Sequence, residues 1–339
     1  MSKTFPFRRI LAIESSCDDT ACAIIENGRR VLASVVDSQL DVHARYGGVI
    51  PELAARSHLH SVNAVVAQAL ENAGLTIHDV DAIAATLGPG LLGSLLVGAN
   101  TAKTLALMAN KPFLGVHHLY GHVASTYLES DLTPPFLTLL VSGGHTQLLH
   151  VKAYDDIEIC GETLDDAVGE VYDKLAREMG LGFPGGAVLD KLAQEGNAEA
   201  FVLPIAKTQA PYDFSFSGLK TAVLNVWRRE SQAYVENEED VPRALVADLA
   251  ASFQATVVKT LMIKTLKLAN ERNILRLTLA GGVSANSALR QAFLDVQKNG
   301  FEVHIPDLRF STDNAAMIAA SAYFNPIQRH ELSADVFSR

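Results

Sequence analysis

The sequence predicts an α/β protein made of two related lobes with a cleft between them. The chain has 339 residues, about twice a common domain length. Segments with strand character and segments with helical periodicity alternate along it. A strand–turn–strand block near the start is echoed in mid-chain, where LAIESSCDDTACAII (11–25) aligns with LTLLVSGGHTQLLHV (137–151). The alignment pairs Thr20 with Thr146 and keeps the strands in register, so we expect a duplicated mixed-sheet core.

The first block begins at residues 9–36 with a strand, a polar turn, a second strand, an Asn-Gly hairpin and a third strand. Residues 60–75 have helical periodicity and a glycine near their end. Residues 80–110 predict a strand, a Gly-Pro-Gly turn and a long helix rich in small residues. Residues 111–116 predict a short strand that leads into a helix carrying histidines.

The second block repeats the strand, small polar turn and strand at residues 135–154. An aromatic and serine-rich loop at 211–223 leads into a helix. Residues 274–296 predict a strand, a double-glycine turn and a helix, and residues 303–324 predict a strand, a loop and a helix that begins near Asp313. Further helices are predicted at 164–181, 185–197 and 243–271.

Composition limits the kind of protein this is. Hydrophobic residues make up 48% of the chain and charged residues 19%, which provides sizeable cores and argues against extensive disorder. The net charge of −10 argues against a simple electrostatic nucleic-acid binder. The three cysteines have no framework spacing, which suits a reducing cytosol. We see neither a signal peptide nor an apolar run of membrane-spanning length, so we expect a soluble, cytoplasmic protein without a membrane partner.

Two glycine turns favour a nucleotide site. The turns VSGGHT (141–146) and LAGGVSAN (279–286) each follow an apolar strand, and the second opens a helix. Glycine lets a ligand approach the backbone, and the N–H groups at a helix start favour anions. Each turn alone is more often only a tight turn, but two together resemble a nucleotide clamp. Neither matches a P-loop or a Rossmann fingerprint.

Several carboxylates accompany these turns. Asp190 follows the glycines at 185–186 on a predicted helix, where it can hold ribose hydroxyls or simply face solvent. Asp173 lies on another helix and can equally be a surface charge. Glu14 and Asp18 lie where the first strand ends, a place where carboxylates commonly bind water, metal or phosphate, although N-capping is an alternative.

His118 and His122 lie one helical turn apart. The apolar residues of this helix share a face that should pack inward, and the two histidines fall on the opposite stripe, facing solvent or a cleft. Imidazoles at i and i+4 can bind one metal ion, although this spacing alone is weak evidence. The glutamate of the zinc-protease pattern is missing, so protease chemistry has little support. A third ligand must be an oxygen from elsewhere, and Asp313 is a candidate.

Ten motifs follow one another between about residues 9 and 325: ESSCDDTACAI, YGGVIPELAARSH, GPGLLGSLLVGA, HHLYGH, LLVSGGHTQL, DDAVGEVYDK, PGG, DFSFSGLKTA, AGGVSAN and STDNAAMIA. In these motifs and their order the chain resembles the tRNA N6-adenosine threonylcarbamoyltransferase family, formerly called O-sialoglycoprotein endopeptidases. The resemblance implies the actin/Hsp70/sugar-kinase (ASKHA) fold, with a nucleotide cleft between the lobes. We place the first lobe at 1–115 plus 307–339 and the second at 116–306.

The resemblance also implies an activity and its residues. Such enzymes transfer a threonylcarbamoyl group from threonylcarbamoyl-AMP to the N6 amine of the adenosine 3′ of the anticodon, in tRNAs that read codons beginning with A. The metal, Fe²⁺ or alternatively Zn²⁺, would be held by His118, His122 and Asp313, and Glu14 and Asp18 would line the reaction centre. The expected partners are tRNA, a related non-catalytic subunit and a small ATPase. The donor would contact Leu140, Val141, Ser142, Gly143, Gly144, Asp173, Gly186, Asp190 and Asn286.

Two other readings compete. A small-molecule kinase of the same fold predicts Mg-ATP with a catalytic aspartate and leaves the histidine pair unexplained. A nucleotide-binding regulator would open and close without group transfer. A tightly bound transition metal argues against both.

Overall fold

The computed structural model describes residues 5–326, 328–329 and 335–338. These residues form two compact units, one from the described parts of 1–133 and 306–339, the other from 134–305. The first boundary therefore lies at 133/134, later than the 115/116 predicted from sequence, and the second lies at 305/306. Residues 116–133 belong to the first unit because the helix that carries the histidines packs against the last helix of the chain.

The first unit contains a mixed six-stranded sheet in the order β11-β5-β4-β1-β2-β3. The strands β1, β4 and β5 are parallel, whereas β2 and β3 continue the sheet as antiparallel neighbours. A short strand, β11, pairs antiparallel with β5 at the other edge. The strands are β1 Arg9–Glu14, β2 Asp19–Glu26, β3 Arg30–Ser38, β4 Ala82–Gly88, β5 Phe113–His117 and β11 Gln328–Arg329.

The helices of the first unit cover this sheet. α2 and α3 share a buried apolar cluster with Leu11, Ile13 and Ile24 of the sheet, and α10 packs on β1 and β2 with nearly every residue buried. α2 begins at its N1 proline, Pro51, well before the predicted start near residue 60. The helices are α1 Leu40–Ala44, α2 Pro51–Ala73, α3 Leu92–Ala109, α4 His118–Ala124 and α10 Ala315–Phe324.

The second unit contains a mixed five-stranded sheet in the order β10-β9-β6-β7-β8. Its core joins this sheet to the long helix α8 and to α5, with Phe214, Phe216 and Phe253 among the largest fully buried side chains. The strands are β6 Phe136–Val141, β7 Thr146–Ala153, β8 Asp156–Glu162, β9 Arg276–Ala280 and β10 Glu302–His304. The helices are α5 Val168–Glu178, α6 Gly185–Ala193, α7 Ser217–Glu236, α8 Arg243–Glu271 and α9 Ser287–Asp295.

The two sheets repeat one pattern. In each, three strands make two consecutive antiparallel pairs, and two further parallel strands extend the sheet beside the first of them. Even the register is shared: Leu11 pairs with Ile24 in the first unit, and the aligned Leu137 pairs with His150 in the second. The duplicated α/β fold predicted from sequence is therefore confirmed, and the nucleotide cleft between the lobes stays a prediction.

Two helices, α3 and α8, are long and apolar enough to cross a membrane by length and composition. Of the apolar stretch of each, 33% in α3 and 67% in α8 is buried inside the protein. α8 is thus mostly a core helix. α3 buries only one face, through small residues spaced three and four apart such as Gly98, Ala102 and Ala106.

Candidate functional site

His118, His122 and Asp313 come together in the first unit. One ligand atom from each lies within 4.8 Å of the others. The Asp313 Oδ1 atom lies 3.2 Å from His122 Nε2 and 3.6 Å from His118 Nε2. The two imidazole rings stand nearly perpendicular, at 79°, with their centroids 4.7 Å apart. Two imidazole nitrogens and one carboxylate oxygen therefore converge on one point.

Glu14 fixes the orientation of His118. The His118 Nδ1 atom lies 3.2 Å from Glu14 Oε2 and 3.1 Å from Ser16 Oγ. Because a carboxylate only accepts hydrogen bonds, Nδ1 carries a proton, and Nε2 on the other side of the ring is the nitrogen that faces Asp313. A carboxylate behind a histidine in this way orients metal-binding imidazoles in proteins.

Glu14 itself is fully buried and held in place. Its Oε2 atom accepts a hydrogen bond of 2.6 Å from the Thr86 hydroxyl, and its Oε1 atom accepts one from the Ser16 N–H. These bonds engage both oxygens within the protein. Glu14 thus contacts His118 on the side of the ring away from Asp313. It is buried, whereas a residue that lines a reaction centre would be exposed to the substrate.

The prediction that both histidines face solvent or a cleft was wrong for His122. Its side chain is 1% exposed, whereas that of His118 is 12% exposed. The difference arises because α4 is covered by α10, and a Cβ atom at Gly121 would lie only 2.6 Å from Ile318. Nδ1 of His122 has no hydrogen-bond partner among the described residues, whereas Nε2 faces the Asp313 carboxylate at 3.2 Å. A buried imidazole in that state is costly unless something binds it.

The loop before α10 presents Asp313. Asn314 caps α10 by accepting a hydrogen bond of 2.9 Å from the Met317 N–H. The same side chain donates to the Thr312 and Phe310 carbonyls, at 2.7 and 3.3 Å. These three bonds fix the backbone on both sides of Asp313. They therefore hold its side chain in place, although it comes from a part of the chain distant from the two histidines.

The charges of this cluster are coupled. Burial opposes a charged His118, but the carboxylates of Asp313 and Glu14 outweigh it and raise the pKa of His118 to about 9. Burial alone would raise the pKa of each carboxyl, yet the neighbouring imidazole holds the pKa of Glu14 and of Asp313 below the usual range. The pocket therefore stabilises a positive charge between two carboxylates.

These residues fit a divalent transition metal. One nitrogen each from His118 and His122 and the converging carboxylate of Asp313 make the donor set of a two-histidine, one-carboxylate metal centre. Such a set binds Fe²⁺ or Zn²⁺ and leaves further coordination positions open.

Three titratable residues follow β1: Cys17 and Asp18 in the turn, and Asp19 at the start of β2. Asp18 is half-buried, and its backbone carbonyl accepts the Gln39 N–H. Burial, together with the nearby carboxylates, raises the pKa of Asp19 to about 7, although a hydrogen bond from Ser38 opposes the shift. Burial and Asp18 also raise the pKa of the Cys17 thiol far above its usual range, so Cys17 is not a reactive thiolate.

A buried polar network supports this turn from α2. The His58 Nε2 atom donates to the Cys17 carbonyl at 3.0 Å, which leaves Nδ1 to accept from the Thr20 hydroxyl at 2.7 Å. The Gln39 amide lies 3.4 Å from the same Nδ1, and its oxygen lies 3.1 Å from His43 Nε2. A neutral His58 satisfies its partners in this network, and burial lowers the pKa of His58 accordingly.

The expected donor-binding residues lie in the second unit. Leu140 and Val141 are fully buried within β6, so their side chains pack in the sheet. Ser142 follows at the strand end and closes a turn by accepting the His145 N–H on its hydroxyl. A Cβ atom at Gly143 or Gly144 would meet nothing within 4 Å, so this turn offers open space to a ligand.

Asp173 anchors the next glycine turn. Its Oδ1 atom accepts a hydrogen bond of 2.7 Å from the Gly185 N–H, at the first residue of α6. Gly185 is obligatory there, since a Cβ atom would lie 2.5 Å from the Tyr172 carbonyl. Gly186 faces open space. Asp173 is thus a structural anchor of the turn, and the neighbouring Gly186 is accessible.

Asp190 and Asn286 bond to each other. The Asn286 Nδ2 atom donates to Asp190 Oδ1 at 3.0 Å, and Asn286 Oδ1 caps α9 by accepting the Leu289 N–H. The Ser287 hydroxyl also donates to Asp190 Oδ1, and the Ser287 N–H donates to Oδ2. Asp190 Oδ2 accepts this one hydrogen bond among the described residues, so it has a lone pair left for a hydroxyl donor.

Sequence reasoning missed three residues that hold these sites: Thr86, His58 and Gln254. Gln254 was detectable, because it falls on the same helical face as the apolar Ala250, Val257 and Leu261 in α8. The partners of Thr86 and His58 are 72 and 38 residues away in the sequence, so no local pattern identifies them.

Comparison with known proteins gives a consistent result. The family model for tRNA N6-adenosine threonylcarbamoyltransferase, TsaD, matches residues 30–320. A protein of that name from Nostoc punctiforme is 54% identical over 321 residues, covering 92% of this chain and 90% of its own length. Another of that name, from Clostridium beijerinckii, is 50% identical and covers 93% and 92%.

Solved structures share the fold at low identity. HypF from T. kodakarensis superposes with a TM-score of 0.63 at 15% identity, over 94% of this chain and 48% of HypF. Component A of the (R)-2-hydroxyglutaryl-CoA dehydratase of Acidaminococcus fermentans superposes with a TM-score of 0.52 at 16% identity, over 93% and 98%. These likenesses show the fold alone, whereas the family model and the close relatives show that this chain belongs to the tRNA N6-adenosine threonylcarbamoyltransferase family of transferase enzymes.

Proposed function

We propose that this enzyme transfers the threonylcarbamoyl group of threonylcarbamoyl-AMP to the N6 amine of the adenosine 3′ of the anticodon, in tRNAs reading codons that begin with A. The N6 nitrogen attacks the carbamoyl carbon, the bond from that carbon to the phosphate oxygen breaks, and AMP leaves. The nitrogen then loses a proton. The observation that carries this proposal, beyond family membership, is the convergence of His118, His122 and Asp313 with Glu14 behind them.

His118, His122 and Asp313 would hold one divalent metal, which we assign as Fe²⁺, with Zn²⁺ as the alternative that the same ligands accept. When bound, the metal supplies a Lewis acid for donor oxygens. Glu14 keeps the proton of His118 on Nδ1, so that Nε2 faces the centre. Loss of the hydrogen bond between His118 and Glu14 is expected to lower metal affinity about as much as loss of a weak metal ligand would.

The chemistry requires no covalent nucleophile from the protein. AMP in a mixed anhydride is already a good leaving group, and the adenine amine is a weak nucleophile that must be aligned. Burial raises the pKa of the Cys17 and Cys22 thiols, which supports this reading. We assign Glu14 to positioning and keep Asp18, which is half-buried, as the residue of this turn that would line the reaction centre.

We assign the donor nucleotide to the second unit. The turn Ser142–Gly144 and Gly186 would contact it where no side chain blocks the backbone, and Asp190 and Asn286 would bind its ribose and adenine. The backbones of Leu140 and Val141 hold the first turn in place, and Asp173 holds the second.

Partners and location complete the proposal. A chain with net charge −10 is expected to bind tRNA weakly alone, because phosphate neutralisation needs clustered lysine and arginine. We therefore propose that it works with a related non-catalytic subunit and a small ATPase. We place it in the cytoplasm, where its cysteines, all three free, stay reduced.

The proposal is tested by incubating the enzyme and its partner subunits with threonylcarbamoyl-AMP and tRNA, then digesting the tRNA for nucleoside mass spectrometry. The wild type should form threonylcarbamoyladenosine, and Asp313→Ala should form it only at background level. Asp307→Ala, which removes an exposed carboxylate shortly before it, is the matched control. No modified nucleoside from the wild type, or undiminished formation by Asp313→Ala, contradicts the proposal.

A further inference from the structure

A buried glutamine lies beneath Asp190 and Asn286. Gln254 of α8 is 4% exposed and has no surface for a ligand to touch. Its Nε2 atom donates to Asp190 Oδ1 at 2.9 Å. Its Oε1 atom accepts from Asn286 Nδ2 at 2.7 Å and from the Tyr172 hydroxyl at 3.2 Å. One carboxamide therefore joins residues of three other segments of the second unit: α5, α6 and the start of α9.

The orientation of this carboxamide is determined by its neighbours. An ionised Asp190 only accepts hydrogen bonds, so the NH₂ group of Gln254 must face it. Asn286 uses its own oxygen to accept the Leu289 N–H, so its NH₂ group must face the oxygen of Gln254. If the Gln254 amide were reversed, its NH₂ group would face the NH₂ group of Asn286, and its oxygen would face the carboxylate of Asp190. Only a side chain with one donor and one acceptor end satisfies both neighbours.

Asp190 and Asn286 come from separate elements, and Gln254 bonds to both of them in addition to the direct hydrogen bond between them. Asp190 is in α6, and Asn286 precedes α9. Both are only half-buried, whereas Gln254 and Tyr172 beneath them are buried. We propose that Gln254 is a positioning residue for the nucleotide, acting through Asp190 and Asn286, which it holds in the orientation that binds the ribose and base. This inference rests on the proposed role of those two residues in donor binding.

The variant Gln254→Glu keeps the size and shape of the side chain and tests its polarity. At pH 8 the introduced carboxylate faces the carboxylate of Asp190. The hydrogen bond that the NH₂ group of Gln254 donates is then lost, and two negative charges lie side by side. At pH 6 a carboxyl group buried beside Asp190 gains a proton, because burial and the like charge raise its pKa, and it can donate again. The other titratable group facing this position is the Tyr172 hydroxyl, which burial keeps protonated at both pH values.

The experiment measures adenosine binding by titration calorimetry on the full chain at pH 6 and pH 8. Adenosine is the probe because it carries no phosphate that titrates in this range. We expect Gln254→Glu to bind adenosine about tenfold more weakly than wild type at pH 8 and to recover most of that loss at pH 6. The matched control is Gln147→Glu, since Gln147 is also buried in the second unit and donates to a carboxylate, Glu162 Oε2, at 3.2 Å.

The outcomes separate the inference from the function on which it rests. If wild type fails to bind adenosine at either pH, the donor-binding assignment falls. If wild type binds but Gln254→Glu matches it at pH 8, loses the same affinity at both pH values or behaves like Gln147→Glu, the role of Gln254 falls. Should Gln254→Glu not fold, Gln254→Met fills the same space without charge and is expected to bind about tenfold more weakly at both pH values; wild-type affinity in that variant overturns the inference.

Discussion

The two units contain the same hairpin but carry different residues at its turn. In the aligned strands, Glu14 of the first unit corresponds to Leu140 of the second, and Cys17 and Asp18 correspond to Gly143 and Gly144. The strands keep one register in both units. In the first unit a buried carboxylate reaches a histidine. In the second the strand end is apolar and the turn is open glycine.

The difference shows how a duplicated scaffold divides its tasks. A carboxylate in the middle of a sheet is tolerated only where it is fully hydrogen-bonded, and the first unit satisfies Glu14 with Thr86, Ser16 and His118. The second unit has the apolar Leu140 at this position, and its polar residues Asp173, Asp190 and Asn286 come from α5, α6 and the start of α9. One strand arrangement thus carries a buried charge beside a histidine in the first unit and open backbone in the second.

The largest effect is expected at Glu14, the point where the units differ most. Glu14→Gln should weaken metal affinity about 10- to 100-fold, because the amide cannot both accept from His118 and keep the other bonds of the carboxylate. Metal competition with a chelator measures it. Glu26→Gln removes a buried carboxylate paired with Arg8 and Arg9 on the next strand and should leave metal affinity unchanged. An unaltered metal affinity in Glu14→Gln would show that the carboxylate does not support His118.

The aligned threonines should differ in their effect on stability. Thr146 accepts the Val168 N–H at 3.0 Å, so Thr146→Val leaves a buried N–H unpaired and should cost about 1–3 kcal/mol of unfolding free energy. Thr20→Val removes the 2.7 Å partner of His58, but the Gln39 amide lies 3.4 Å from the same nitrogen and can replace it. Urea unfolding of both variants should therefore show the larger loss for Thr146→Val, and the reverse order would refute this account of the two networks.

A smaller effect is expected at Asp190, and only on the nucleotide. Asp190→Ala should weaken adenosine binding several-fold, since a lost hydrogen bond costs about 0.5–1.5 kcal/mol, while the metal content stays at the wild-type level. Calorimetry and metal analysis on one preparation measure both. Asp248→Ala removes a carboxylate of the same unit that likewise accepts a backbone N–H, from Asn197, and serves as the control. Unchanged adenosine affinity in Asp190→Ala would show that Asp190 does not bind the nucleotide and has only a structural role.

A further effect concerns pH. With the pKa of Asp19 raised to about 7, the folded metal-free protein binds a proton that the unfolded chain has released, so its unfolding free energy falls as pH rises between 3.8 and about 7. Asp19→Asn should lose this dependence and gain stability relative to wild type towards pH 8. Thermal melts of metal-free protein across this range test it, with the exposed Asp41→Asn as control. Parallel pH profiles for wild type and Asp19→Asn would contradict the assignment.

Much of the fold could be predicted from sequence because it follows local patterns. Apolar strands, glycine turns and the Thr20–Thr146 alignment gave the duplication, and helical spacing placed His118 and His122 one turn apart. The start of α2 was misplaced because the apolar periodicity of that helix becomes clear only after its first turns, although Pro51 marked the start. The strand β8 was not predicted, since its residues alternate weakly and are mostly exposed or half-buried.

Contacts between distant segments could not be read from sequence. The burial of His122 depends on how closely α10 approaches α4, which no local pattern specifies. Two of the carboxylates also proved to be anchors: Glu14 holds His118, and Asp173 holds the Gly185 N–H. Sequence identified these residues as polar groups near a turn but could not identify the groups they bind.

The central claim, that the first unit alone holds a transition metal, is tested most directly by elemental analysis of the double variant His118→Ala/His122→Ala. The wild type should carry about one iron or zinc ion per chain, and the double variant should carry almost none while still binding adenosine. His60→Ala, which removes an exposed imidazole from α2, should keep the metal. A double variant that retains metal at the wild-type level would contradict the account.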